Sequence, residues 1–118
     1  MKISDKVLRR DIDDIMACAL EGGITYWCDN ARVVEDRYYG EYASDQISRG
    51  GSLELHDYVE DENRIINLDN FLNGLELAIK KGYAKHWYSN GKIDMMNMDA
   101  VAADIIVQLA IFGDVIYG

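Results

Sequence analysis

Residues 53–82 read LELHDYVEDENRIINLDNFLNGLELAIKKG, and a change of period inside this stretch decides the fold. Leu53, Leu55 and Asp57 alternate with Glu54, His56 and Tyr58, as in a strand with one covered face. The acidic connection at 60–63 leads into RIINL, so this half predicts two strands joined as a hairpin. From Asp69 the period lengthens to that of a helix. Phe71, Leu72, Leu75, Ala78 and Ile79 share one side, Asp69 stands at the cap, and Lys80, Lys81 and Gly82 close the end, where the helix dipole favours positive charge.

Toward the N-terminus, Leu8, Ile12, Ile15 and Ala19 recur at helical spacing with Val7, Met16 and Leu20 beside them. The reading is a helix over 4–21, capped by Ser4 or Asp5 and stopped by Gly22 or Gly23. ITYWC and DNARVV then predict a short hairpin or one bent strand around Asp29 and Asn30. Residues 35–51 read as a loop with one helical turn at 41–48. Toward the C-terminus, Asn90-Gly91 between KHWYS and KIDMM predicts a second hairpin. A final helix opens at Asn97 or Asp99 and ends at Phe112-Gly113, followed by a candidate strand DVIY. That helix is apolar nearly all round, which places it at the centre of the core or beneath a partner. Helices mixed with short antiparallel strands, without regular βαβ alternation, predict one α+β domain over 1–118.

The chain has 118 residues, 49% of them hydrophobic and 28% charged, which suits one globular core and excludes a disordered class. Twelve Lys and Arg face 21 Asp and Glu, a net charge of -9 that repels nucleic-acid phosphates and anionic membranes. Asp104, Gln108 and Asp114 interrupt the most apolar stretch before it reaches the roughly 20 residues a membrane span requires. The first residues lack a secretory pattern, so the expected location is the cytoplasm, with Cys18 and Cys28 as thiols.

Cys18, Cys28, His56 and His86 share no metal-ligand spacing, so no metal or cofactor is expected. Asp11, Asp13 and Asp14 read as a solvated helix face, and both histidines as strand-surface residues. Ser44, Ser48, Ser52 and Ser89 lack a nucleophile context and no phosphate-binding glycine loop occurs, so the expected protein is not an enzyme. Two patterns point to binding instead. Asp57, Glu60, Asp61 and Glu62 form an acidic knot suited to a basic partner surface. Tyr26, Trp27, Tyr38, Tyr39, Tyr42, Trp87 and Tyr88 are hot-spot side chains, and Arg32, Arg37 and Arg49 near the middle tyrosines supply anion contacts for a nucleotide-type ligand.

Over nearly the full length, DIDDIMACALEGGITYWCDNA, GEYASDQISRGGSLELHD and ADIIVQLAIFGDVIYG resemble small uncharacterised proteins encoded by bacteriophages and prophages. The resemblance implies a mobile-element origin and assigns no site residue. It favours a non-enzymatic protein in the host cytoplasm that binds and inhibits a host macromolecule, in the manner of anti-CRISPR or anti-restriction proteins that imitate nucleic acid. Sequestration of a nucleotide or cyclic-nucleotide signal is the alternative, and a virion structural or assembly role the third. The apolar last helix and the terminal VIY predict a homodimer.

Overall fold

The computed structural model describes residues 7–118 and shows an α+β fold. Its elements are α1 (Arg9–Cys18), β1 (Cys28–Val33), β2 (Leu53–Asp57), β3 (Glu62–Ile66), α2 (Leu68–Lys80), β4 (Tyr88–Ser89), β5 (Lys92–Ile93) and α3 (Ala100–Phe112). β1, β2 and β3 form an antiparallel sheet in that order, and β4 and β5 a separate hairpin.

The caps expected at Ser4 and Asp5 lie outside the described residues. Leu8 is extended and its N–H donates to the Asp11 carboxylate, so α1 opens at Arg9. Asp11 is therefore buried rather than solvated, and Asp13 accepts a hydrogen bond from the Ser48 hydroxyl. Wider π-type turns at Ala19–Gly23 extend α1 into the next loop. ITYWC is not a strand up to its cysteine: Trp27 and Cys28 both donate backbone N–H bonds to the Ile24 carbonyl in a tight turn. One strand follows, bent by a register shift between Cys28 and Asn30. The loop holds two short 3-10 turns, Ala43–Asp45 and Ile47–Arg49, ordered by the buried Gln46, whose side chain bonds Tyr39, Gly40 and Tyr42 backbone groups.

The hairpin of β2 and β3 and the Asn90-Gly91 turn form as the sequence requires, with both turn residues at positive φ. His86, however, is exposed in the turn before β4 and not on a strand. α2 begins one residue before the expected cap. Asn67 and Asn70 cap each other reciprocally, each side-chain oxygen accepting the other's backbone N–H, and Asp69 falls in the first turn, where it complements the dipole. Asp99 caps α3 and Gly113 ends it in the left-handed region. The last five residues form no strand; they fold back along α3.

Ile12, Ile15 and Met16 of α1, Leu53, Leu55 and Ile66 of the sheet, Phe71 and Leu75 of α2, and Ile106, Val107 and Leu109 of α3 make one continuous core with Trp27 and Ile47. α3 is the central helix, with Ala102, Ala103, Ile106, Val107 and Leu109 buried against the rest of the chain, while Val101 near its start is 66% exposed. No helix among the described residues is long and apolar enough to cross a membrane. α2 meets α3 closely at Gly74, where a Cβ would stand 2.6 Å from both the Ala110 nitrogen and the Ile106 oxygen of α3. Ala would improve the helix propensity of this position by about 1 kcal/mol, but rigid backbone cannot yield to the added methyl. Gly74→Ala is expected to lower the unfolding free energy by about 1–3 kcal/mol, measured by urea denaturation; an unchanged or raised midpoint would contradict this contact.

Candidate functional site

α3 carries two polar residues one turn apart, Asp104 and Gln108, both buried inside an otherwise apolar helix. A buried carboxylate and amide require partners, and the preceding turn supplies them. The Trp27 indole N–H donates to Asp104 Oδ1 at 2.8 Å, the Gln108 amide donates to the same oxygen at 2.9 Å, and the Tyr26 hydroxyl donates to Oδ2. Gly23 lets the turn approach α3 this closely, since a Cβ there would lie 2.6 Å from the Ala100 carbonyl oxygen.

Gln108 also captures the C-terminal segment. Its side-chain oxygen accepts the backbone N–H groups of Ile116 at 2.8 Å and Tyr117 at 2.9 Å. The Tyr117 ring then stacks on Trp27 at 5.6 Å and meets Phe112 edge-on at 5.8 Å. Its hydroxyl donates to Asp57 Oδ2 at 2.7 Å. Asp57 completes its shell with Arg64, at 3.1 Å from Nη2, and with the backbone N–H groups of Val59 and Glu60. The Arg64 guanidinium lies 4.9 Å over the Phe112 ring. Tyr117 thus ties the sheet to α3.

These contacts set the ionisation of the groups involved. Burial pushes the Asp57 carboxyl up, but the bonds from Tyr117, Glu60, Arg64 and Val59 outweigh it and hold the group below the usual aspartate range. Burial, followed by the hydrogen bond to Asp104, pushes Tyr26 up to about 12. Burial and the bond to Asp57 take Tyr117 to about 12 as well. On the outer sheet face, His56 faces Asp29 through Nδ1 and Asp61 through Nε2, and those two bonds raise its pKa.

A cleft of about 500 Å³ opens between the turn at 22–26, α3 and the C-terminal segment. Val101, Ile105 and Val115 wall it, and Tyr26 and Asp104 supply polar groups. It exceeds the hollow of about 150 Å³ beside Arg37 and Tyr39 and that of about 110 Å³ beside Ile24 and Cys28.

The structure redistributes the residues singled out from sequence. Asp57 does not belong to a partner-facing acidic surface: it is fully buried and shapes the turn from within. Glu60, Asp61 and Glu62 are exposed at that turn. Trp27 and Trp87 are core side chains rather than surface hot spots, and Tyr88 is half-buried. Tyr26, Tyr38, Tyr39 and Tyr42 are exposed. Of the three arginines, Arg32 pairs with Glu54 across the sheet, Arg49 lies near Gly40, and Arg37 shares with Tyr39 a polar hollow of about 150 Å³. That hollow falls below the roughly 300 Å³ at which small-molecule sites begin. Among the described residues no three His, Cys, Asp or Glu side chains group closely enough to hold a metal ion.

Sequence reasoning passed over Asp104, Gln108 and Tyr117 as site residues. The available signal was the spacing of Asp104 and Gln108, four apart in an apolar run, which puts both polar groups on one buried stripe. No family model, curated protein or solved structure matches the chain.

The two raised phenols make stability sensitive to alkali. Their ordinary value is near 10, so the folded state holds these protons more tightly. The contribution is complete below pH 10 and is lost as pH rises through 10 toward 12. Denaturation curves should show the unfolding free energy falling over this window, with a smaller fall in Tyr117→Phe; a wild-type profile flat to pH 12 would contradict the assignment.

Proposed function

We propose that the protein is a non-enzymatic binding protein of phage or prophage type that acts in the host cytoplasm by seating its acidic hairpin turn in a basic groove of a host protein, in the anti-defence manner. The observation that carries this reading is the way Asp57 builds the turn. Its carboxylate accepts the N–H groups of Val59 and Glu60, and Asp61 adopts positive φ, so the loop is fixed from inside the protein. Arg64, the cation nearest in sequence, is turned inward onto Asp57 and Phe112. Glu60 and Glu62 are left exposed with no ion-pair partner among the described residues, and Asp61 meets only His56.

A rigid acidic turn binds with little loss of loop entropy, and a net charge of -9 steers it toward positive surfaces. The exposed carboxylates of such a turn carry the same sign of charge as nucleic-acid phosphates. The resemblance to mobile-element proteins supports a host protein as the target.

Charge reversal separates this reading from a general acidic surface. The variant carrying Glu60→Lys, Asp61→Lys and Glu62→Lys should bind the basic host protein recovered with the wild type at least about tenfold more weakly. Equal reversal on other elements, at Asp14, Glu41 and Asp69, should change binding much less, and wild-type affinity should fall steeply with added salt. Equal affinity of both variants, or binding indifferent to salt, would overturn the proposal.

A further inference from the structure

We infer that the cleft over Asp104 is a binding site for a small alkylammonium, whose apolar chain lies along Val101, Ile105 and Val115 and whose N–H donors meet Asp104 and the Tyr26 oxygen. At about 500 Å³ the cleft falls in the size range of small-molecule sites, with apolar walls and a few convergent polar groups. The hydrogen-bond inventory of its floor gives the chemical class. The side-chain donors of the lining are already engaged, the Tyr26 hydroxyl to Asp104 and the Tyr117 hydroxyl to Asp57, and behind them the Trp27 indole donates to Asp104 and the Gln108 amide to Asp104, Tyr26 and the Tyr117 carbonyl. The side chains leave the cleft only acceptors, the Asp104 carboxylate and the Tyr26 oxygen, whose proton is held by Asp104.

Charge points the same way. Asp57, the other buried carboxylate of this network, has Arg64, whereas Asp104 has only neutral donors among the described residues. Asp104 is 6% exposed and lines the cleft, so a cation entering there meets an uncompensated charge in a desolvated setting. The exposed Tyr26 ring adds a π face at the entrance. The Asp104 charge would repel carboxylates and phosphates in this cleft. This site shares no charged residue with the acidic turn, so either proposal can fail alone.

The Trp27 indole N–H resonance reports on Asp104 directly, and n-hexylammonium is the probe. Titration should shift that resonance saturably, with n-hexanol binding about tenfold or more weakly and hexanoate or methylammonium not measurably. Val101→Arg alters a residue 66% exposed at the rim, so the fold is retained while a guanidinium occupies the mouth; it should abolish the hexylammonium shift. Asp104→Asn should remove the preference of the ammonium over the alcohol, and if that variant fails to fold, Val101→Arg decides. Hexanol binding as tightly as hexylammonium, a hexylammonium shift surviving in Val101→Arg, or no saturable shift in the wild type would each overturn the inference.

Discussion

The structure depends on satisfying Asp104 and Gln108, a carboxylate and an amide buried four residues apart in the central helix. Leaving either group unpaired would cost about 1–3 kcal/mol, and more for the charged one, a large share of the stability of a small domain. Several segments are arranged to prevent this. The loop after α1 turns tightly so that Tyr26 and Trp27 arrive as donors. The residues after Gly113 fold back because Gln108 accepts two of their N–H groups. The pairing also sets the cleft, which Tyr26, Asp104 and the C-terminal segment line.

Asp57 extends the network into the sheet. Its burial at the end of β2 is supported by a cation, a phenol and two backbone donors, the kind of full satisfaction that makes an interior charge tolerable. The consequence appears at the surface. With Asp57 holding the turn and Arg64 drawn inward, Glu60 and Glu62 project without an ion-pair partner among the described residues, and Asp61 meets His56. The buried acid therefore shapes the acidic turn without being part of its exposed face.

Much of the architecture was legible in the sequence, because periodicity and turn chemistry are local. The alternation from Leu53, the helical spacing from Phe71, the Asn90-Gly91 turn and the Asp99 and Gly113 boundaries of α3 all form as read. The errors fell where a local rule met a tertiary demand. Asp69 is a good cap by type, but the reciprocal pair of Asn67 and Asn70 sets the start of α2. ITYWC has strand composition, yet Tyr26 and Trp27 are drawn into a turn by Asp104, 78 and 77 residues away in sequence. VIY also looks like a strand, but Gln108 takes the N–H groups that a strand partner would need.

By itself the sequence determined the α+β class, the order of the main elements and the net charge of -9, since each follows from composition or from spacing within about 20 residues. Only the tertiary structure decided which polar residues are interior. Asp57 and Glu60 are alike in sequence as members of one acidic knot, but one is fully buried and the other faces solvent. Asp104 and Gln108 read as interruptions of an apolar run and are the groups on which the turn, the C-terminal segment and the cleft converge. The physical reason is that hydrogen-bond satisfaction is settled in space: whether a buried acceptor finds its donors depends on segments that composition and local spacing cannot bring together.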